Sequence, residues 1–206
     1  MSRRLVRTLI YSTVLVVSVS AAVHAQAPRP VTVGIAVGAT MPISDFANDT
    51  KTGYHGAGYL QYEPAGGIWG VRGEGSYHRS DFTDEALGDI GADPDDDITN
   101  SITHVGVAAV LLGRGRDRTV TPYALGGLGY YRVTVSASSG SLSLSESESG
   151  FGFNGGAGIR FGRQVGFFLE ARYHQFSITT EDPDDPANSD VKSTFRMIPV
   201  SIGVRF

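Results

Sequence analysis

Four histidines have a spacing that could bring imidazole rings together: His55, His78, His104 and His174. The first three fall in consecutive segments of the alternating pattern described below, on the polar parity of each segment. Neutral imidazoles bind Zn²⁺ or Cu²⁺ where three of them converge. The sequence therefore offers His55, His78 and His104 as a candidate metal site, with a polar hydrogen-bonded network as the alternative.

Two Arg–Glu motifs occupy matching positions in two of these alternating segments, the ones that also carry His78 and His174. One segment carries Arg72 and Glu74, and the other carries Glu170 and Arg172, at equal distances from the segment start. If the two segments face each other, Arg72 lies opposite Glu170 and Glu74 lies opposite Arg172. Because buried charges require partners, the pattern predicts ion pairs across an interior. Hydrated charges in an interior that holds water are the alternative.

A third pattern has the residue types of a hydrolase. His78-Arg79-Ser80 places an imidazole two residues from a hydroxyl, with Asp81 beside it. A serine nucleophile needs a general base and a third group that orients the base. Since His78 falls on the polar parity and no separate acid is placed to orient it, we expect no catalytic residues.

The elements that must position these residues are β-strands. Apolar residues recur at every second position in eight segments after residue 30, which is the period of a strand. Long polar connections alternate with short ones along the chain. The long ones are residues 41–52, 80–100, 136–149 and 180–194, and the short ones are 64–67, 114–119 and 162–165. This rhythm predicts an all-β fold, an eight-stranded antiparallel up-and-down barrel with both termini at the short-turn end.

The N-terminal residues have a different character. Three arginines precede an apolar stretch at 9–19, and Val23-His24-Ala25 is typical of a signal-peptidase site. The apolar stretch is shorter than the roughly 20 residues that a membrane helix needs. We expect residues 1–25 to be a cleaved signal peptide and residues 26–206 to form one barrel domain. The chain has no cysteine, which excludes a disulfide scaffold.

Aromatic residues indicate which face of the barrel is apolar, because they fall on the apolar parity at both ends of the segments. The expected girdle at the short-turn end is Tyr62, Trp69, Tyr123, Phe161, Phe167 and Phe206, and the expected girdle at the long-loop end is Tyr54, Tyr77, Tyr131, Phe151, Phe153 and Tyr173. Two aromatic rings around an aliphatic band are typical of a transmembrane barrel, since aromatic side chains favour the lipid–water interfaces. A soluble barrel with a ligand inside has no reason for two rings.

Two segments resemble a known family, Pro122–Tyr131 (PYALGGLGYY) and Ile198–Phe206 (IPVSIGVRF). They are similar to strands of the small outer-membrane β-barrel domain, the OmpA/OmpX type of the porin-like superfamily of Gram-negative envelopes. The resemblance implies an integral outer-membrane protein whose last strand, with Val204 and Phe206, is the signal read by the assembly machinery. Some barrels of this kind modify lipid A, so a deacylase at His78-Arg79-Ser80 is one alternative. A small pore or an adhesive surface barrel is another.

These patterns together predict a non-enzymatic outer-membrane barrel with a side-chain-filled lumen and a structural or loop-mediated role. We expect it to contact outer-membrane lipid, lipopolysaccharide and the assembly machinery, to be a monomer and to need no cofactor. A formal net charge of −4 argues against a nucleic-acid partner.

Most acidic residues fall in the long connections, as in Asp93-Pro94-Asp95-Asp96-Asp97. With both termini periplasmic, these acidic loops would be extracellular. A solvated surface is one interpretation of them, and a site for Ca²⁺ or Mg²⁺ is the other.

Overall fold

The computed structural model describes residues 30–89, 97–113, 119–139, 142–162, 165–181 and 190–206. Within them eight strands form: β1 (Val31–Pro42), β2 (Gly53–Tyr62), β3 (Trp69–Asp81), β4 (Asp97–Leu112), β5 (Val120–Ser139), β6 (Leu142–Phe161), β7 (Gly166–Glu181) and β8 (Asp190–Arg205). The signal peptide predicted at residues 1–25 lies outside the described residues. No helix in the described part of the chain is long and apolar enough to cross a membrane.

Each strand pairs antiparallel with the next one along the chain, and β8 pairs with β1 to close the barrel. The predicted eight-stranded antiparallel barrel is thereby confirmed. Short turns join the strands at one end. Gly66 and Gly162 lie in two of them with φ of 72° and 88°, a conformation that glycine adopts without steric penalty.

The long connections contain more regular structure than the sequence indicates. Residues 136–149, predicted to be a loop, are largely strand, because β5 and β6 are each 20 residues long and remain paired from Thr134↔Ser147 to Ser139↔Leu142. That prediction was wrong because a run rich in Ser, with two Glu, was taken for a loop. Backbone hydrogen bonds between strands do not depend on side-chain polarity, and the two strands continue to pair through this run.

Two short helices occupy other long connections, α1 (Phe46–Asp49) between β1 and β2, and α2 (Asp84–Asp89) between β3 and β4. The two connections contact each other directly. Lys51 Nζ lies 2.7 Å from Asp84 Oδ1, and Thr50 forms a bridge with Phe82. These contacts hold α1 at the mouth of the barrel, where it contacts β1 and β8.

Three layers of the lumen are built from inward-facing strand residues, together with Phe46 of α1. We call the charged residues nearest the short turns the ionic layer, the His, Ser and Thr residues above them the histidine layer, and the apolar residues at the long-loop end the apolar cap. The apolar cap consists of Phe46, Ile102, Tyr131, Val133, Phe176, Ile178 and Met197, with Phe195 packed against it. The outward face carries the exposed Val, Ile, Leu and aromatic side chains.

Candidate functional site

The ionic layer brings together the two Arg–Glu motifs from β3 and β7, which are four strands apart and therefore opposite in the barrel. Arg72 Nη1 donates to Glu170 Oε2 at 2.7 Å. Arg172 donates from both terminal nitrogens to the two oxygens of Glu74, at 2.6 and 2.8 Å. Arg172 Nε also lies 3.0 Å from Glu170 Oε1. The structure thus places all four residues in one network that spans the lumen.

The network extends toward the short turns through residues that the sequence analysis did not include. Arg72 Nε donates to Gln61 Oε1 at 2.7 Å, and Gln61 Nε2 donates to Glu63 Oε1 at 2.6 Å. Arg160 Nη1 also donates to Glu63. Glu63 immediately follows β2 on the parity of Gln61, so continuing the alternation one step past the strand was the signal that could have found it.

Burial strengthens these electrostatic contacts. The side chains of Arg72 and Glu170 are 4% and 7% exposed. The Arg72 guanidinium also lies 4.1 Å from the centroid of the Tyr59 ring, a cation–π contact. In a low-dielectric interior, removing one partner would leave the other charge uncompensated. The layer is therefore a set of mutually dependent charges.

The histidine layer is a chain of hydrogen bonds in which hydroxyl groups alternate with imidazoles. Thr40 Oγ1 lies 3.0 Å from His55 Nδ1 and 2.8 Å from His78 Nδ1. His55 Nε2 continues the chain to Ser201 Oγ at 2.8 Å. A neutral imidazole has one donor and one acceptor nitrogen. Each ring can therefore accept a hydrogen bond from one hydroxyl and donate one to the next.

The same chain continues around the barrel wall. Ser76 Oγ lies 2.9 Å from His78 Nε2 and 3.4 Å from His104 Nδ1. The His104 ring stacks on Tyr131 at 4.5 Å, and the Tyr131 hydroxyl lies 2.9 Å from His174 Nδ1. Hydroxyl and imidazole groups of β1, β2, β3, β4, β5, β7 and β8 therefore contribute to one layer.

This geometry does not fit the predicted metal site at His55, His78 and His104. In the described part of the chain, no three His, Asp or Glu side chains are arranged to hold a metal ion. The reason is that His55 and His78 direct both of their ring nitrogens at serine and threonine hydroxyls. The alternative interpretation, a polar hydrogen-bonded network, describes the arrangement.

The His78-Arg79-Ser80 motif is divided between the two faces of the barrel. His78 is buried in the lumen, with its two nitrogens engaged by Thr40 and Ser76. Arg79 has the opposite parity and faces outward. The His78 ring is therefore not directed at Ser80.

Two residues predicted in the aromatic girdles face the lumen instead. Tyr123 and Tyr131 are 6% and 0% exposed. The Tyr123 hydroxyl donates to Glu170 Oε2 at 2.6 Å, while Tyr131 contacts His174. Both faces of β5 are apolar, so alternation alone could not set its parity. The adjacent tyrosines at 130 and 131 were a signal that one of them points inward.

The other predicted girdle residues lie on the outward face of their strands. Most are well exposed, namely Tyr54, Tyr62, Trp69, Tyr77, Phe151, Phe153, Phe161 and Phe167, and Tyr173 and Phe206 are half-buried. Tyr130, which is 44% exposed, occupies the outward position of β5 where Tyr131 was expected. It packs edge-on against Phe151, with ring centroids 5.5 Å apart.

Glycines on the lumen wall provide the space for the inward-facing rings of Tyr59 and His104. A Cβ atom added to Gly34 would lie 2.2 Å from the Tyr59 ring, and one added to Gly129 would lie 2.3 Å from His104 Nε2. A Cβ atom added to Gly106 would lie 2.6 Å from the same nitrogen. Each ring therefore packs against the backbone of a glycine, and a larger residue at that glycine would displace the ring.

Two cavities lined by lumen side chains are small, with volumes of about 10 and 30 Å³. The first lies among Tyr59, Arg72 and Arg160, and the second between Glu74, His104 and Arg172. A cavity needs about 10–15 Å³ to hold one water molecule, so these volumes correspond to a few waters at most.

With this geometry in place, the family comparison is decisive. Residues 11–206 match the family described as outer membrane protein beta-barrel domain. The chain belongs to this outer-membrane β-barrel family. Location in the outer membrane follows from that membership. The exposed apolar and aromatic side chains on the outward face are what such a barrel presents to lipid. A comparison with curated proteins gave no match.

Several solved structures are similar to the chain. Neisserial surface protein A, NspA, has a TM-score of 0.55 and 16% identity, over 86% of this chain and 96% of that one. At this identity the likeness to NspA concerns the fold alone. A major outer membrane protein of Thermus thermophilus gives a TM-score of 0.49 and 13% identity, over 84% of this chain and 99% of that one. The N-terminal β-barrel domain of Pseudomonas aeruginosa OprF gives a TM-score of 0.44 and 14% identity, over 85% of this chain and 97% of that one.

Proposed function

We propose that this chain is a non-enzymatic outer-membrane barrel with a closed lumen, and that its role is structural or mediated by its loops. The observation that carries the proposal is the cross-lumen ion pairing of Arg72 with Glu170 and of Arg172 with Glu74. An eight-stranded barrel is just wide enough for side chains to fill its interior. The apolar cap adds a second obstruction, since Phe176 stacks between Tyr131 and Phe195.

Planar-bilayer recording of the refolded chain tests the closed lumen. The expected result is no steady single-channel conductance in wild type. A matched variant, Phe176→Ala with Arg72→Ala and Glu170→Ala, removes one side chain of the cap and one ion pair, and we expect transient conductance from it. A large, steady conductance in wild type would overturn the closed lumen and favour the small-pore alternative.

The orientation is part of the proposal, with both termini and the short turns periplasmic and the long, acidic connections extracellular. The described chain begins and ends at the short-turn end, where Val33 and Phe206 exchange backbone hydrogen bonds at 2.8 and 3.2 Å. Short periplasmic turns and longer extracellular loops are the rule for such barrels.

The absence of cysteine allows a clean test of this orientation. Ser147→Cys lies in the β5–β6 extension, and Ala65→Cys lies in a short turn. We expect a membrane-impermeant maleimide to label the first variant on intact cells, and the second only after the outer membrane is permeabilised. The reverse labelling pattern would overturn the orientation.

The proposed partners are lipopolysaccharide and the outer-membrane assembly machinery, which would read Val204 and Phe206 at the end of β8. Phe206→Ala is expected to lower the amount of heat-modifiable, folded barrel in outer-membrane fractions. Phe161→Ala, which removes an aromatic ring at the same end of β6, serves as the control for lost ring area. Equal losses in both variants would contradict a specific signal at Phe206.

Lipid A analysis tests the enzymatic alternative. Lipid A extracted from cells with and without the chain is expected to carry the same acyl chains, because His78 is occupied by hydrogen bonds in the lumen. A change in acylation that disappears in His78→Gln would contradict the non-enzymatic assignment.

A further inference from the structure

Two arginines project outward just beyond the girdle of aromatic residues at the long-loop end. Arg79 follows Tyr77 on the outward parity of β3, and Arg132 follows Tyr130 on the outward parity of β5. Neither forms an ion pair or a side-chain hydrogen bond with another described residue. Asp81, two residues beyond Arg79 on the same parity, forms no ion pair with it. Both guanidinium groups therefore have unused donors.

A third outward arginine behaves differently. Arg196 on β8 directs Nε at Gln175 Oε1, at 3.4 Å, and Nη1 at Ser44 Oγ, at 3.3 Å. Its donors are occupied by the barrel's own side chains. Arg196 thus provides an internal comparison for the two arginines whose donors have no such partners.

The two unpaired arginines lie on strands that flank β4. Arg79 pairs with Ser101 of β4, and Arg132 pairs with Thr103, two residues closer to the membrane band. A strand spacing of about 4.8 Å and a rise of about 3.4 Å per residue put their Cα atoms about 12 Å apart. Two extended arginine side chains can therefore converge on one phosphate group from either side of β4, with the outward hydroxyls of Ser101 and Thr103 between them.

The position of Arg79 and Arg132 along the barrel axis indicates which part of the membrane they contact. Tyr77 and Tyr130 belong to the ring of exposed aromatic side chains that marks the lipid–water boundary. Residues two positions further along the same face lie at the level of lipid headgroups. Guanidinium groups bind phosphate oxygens in a bidentate manner, so an anionic phosphate headgroup complements this position in charge and geometry.

Below the arginines the outward surface is hollow. Four glycines on β2 and β3 face outward at mid-membrane height: Gly56, Gly58, Gly73 and Gly75. A Cβ atom added to Gly56 or Gly73 would meet nothing within 4 Å. The hollow continues directly below Tyr77 and Arg79 on β3. An acyl chain can lie in it while the headgroup reaches the arginines, which favours a lipid over a soluble phosphate.

We propose that the outward face of β2 to β5 at the long-loop end binds a phosphorylated glycolipid of the outer leaflet, with Arg79 and Arg132 holding its phosphate and the glycine hollow holding an acyl chain. This site rests on the proposed orientation, because only then does the long-loop end meet the outer leaflet. It gives the expected lipopolysaccharide contact a defined place on the barrel.

Native mass spectrometry of the full, refolded chain released from detergent tests the site, with diphosphoryl lipid A as the probe. We expect wild type to bind it at least about tenfold more tightly than the same glycolipid without phosphates, a difference of about 1.4 kcal/mol, since hydrogen bonds between charged groups are stronger than neutral ones. The double variant Arg79→Gln/Arg132→Gln is expected to lose this preference, and Arg196→Gln is expected to keep it. An unchanged preference in the double variant, or no preference in wild type, would overturn the proposal.

A second pair of variants tests the acyl-chain part. Gly56→Leu/Gly73→Leu fills the hollow from two positions where an added Cβ atom meets nothing within 4 Å, and we expect it to lower lipid A affinity several-fold. Ala171→Leu enlarges one outward side chain on β7, away from the hollow, and should leave the affinity unchanged. Equal effects of the two would overturn the assignment of the hollow to an acyl chain.

Outer-membrane fractionation of the same variants separates this proposal from the proposed function. A wild-type barrel that folds in the outer membrane with its long loops outside but shows no phosphate preference contradicts the lipid site alone. A wild-type chain whose short turns are labelled on intact cells contradicts the orientation on which the site rests.

Discussion

The ionic layer and the histidine layer lie next to each other in one lumen but satisfy their polar groups by different means. In the ionic layer, opposite charges from β3 and β7 meet directly, as in the bidentate contact of Arg172 with Glu74. In the histidine layer, the hydroxyl of Thr40 stands between His55 and His78. A buried charge requires the opposite charge. A neutral imidazole has one donor and one acceptor nitrogen, so a neutral hydroxyl group is a sufficient partner for either.

The two layers also differ in what surrounds their planar side-chain groups. Arg72 is held between oxygen acceptors and the face of Tyr59. His104 instead lies against the backbone of Gly106 and Gly129. The ionic layer therefore depends on charge, while the histidine layer depends on shape as well as on hydrogen bonds, and substitutions should separate the two.

The largest effect is expected in the ionic layer, from Glu170→Ala. It removes the acceptor of Arg72 and Tyr123 and leaves the guanidinium buried beside a neutral methyl group. We expect the free energy of unfolding to fall by about 3–5 kcal/mol, measured by urea unfolding of the barrel in lipid vesicles. A loss below about 1 kcal/mol would show that water replaces the lost partner.

The double substitution Arg72→Met/Glu170→Leu sharpens that result. Because it removes both charges and keeps apolar volume, we expect it to be closer to wild type than Glu170→Ala is. The same vesicle assay measures it. If the double variant is less stable than the single one, shape rather than charge holds the ionic layer together.

The next effect is expected in the histidine layer, from Gly129→Val. The new side chain would overlap His104 Nε2 and approach the carbonyl of Val105, so we expect a loss near the upper end of the 1–3 kcal/mol typical of overpacking. Gly73→Val, on the outward face of β3, is the matched control and should change stability by about 0.5 kcal/mol or less. Equal losses of stability in the two variants would contradict the inference that Gly129 provides the space for the His104 ring.

A smaller effect is expected from Thr40→Val, which keeps the shape of the side chain and removes the hydroxyl between His55 and His78. Two imidazole nitrogens then lose their partner, and we expect a loss of about 1–2 kcal/mol by urea unfolding. Thr32→Val, earlier on β1 and outside the histidine layer, is the control. A neutral result for Thr40→Val would show that the two rings reorient without cost.

The smallest effect is expected from Ser201→Ala at the end of the hydrogen-bonded chain. Only one contact, to His55 Nε2, is lost there. We expect a loss of about 0.5–1.5 kcal/mol. A loss as large as that of Thr40→Val would indicate that the chain acts as one cooperative unit.

Residue type and spacing allowed a large part of this barrel to be predicted. The Arg–Glu motifs of β3 and β7 stand at equal heights because strand rise is constant, so their cross-lumen partners could be named from the sequence. Glu63 was missed because it follows the last residue of β2. The hydroxyls of Thr40 and Ser201 were missed because serine and threonine occur on either face of a strand without a preference that the sequence reveals.

The sequence by itself determined the number of strands, their order and the face that most of them turn outward, because a period of two is a local property of the chain. Only the closed barrel decided the parity of β5, where both faces are apolar and the hydroxyls of Tyr123 and Tyr131 find acceptors inside. It also decided that ring nitrogens of His55 and His78 meet hydroxyl groups, although the two rings lie only 5.0 Å apart. One of those contacts joins residues 146 positions apart, His55 and Ser201, and it depends on the register that closure imposes.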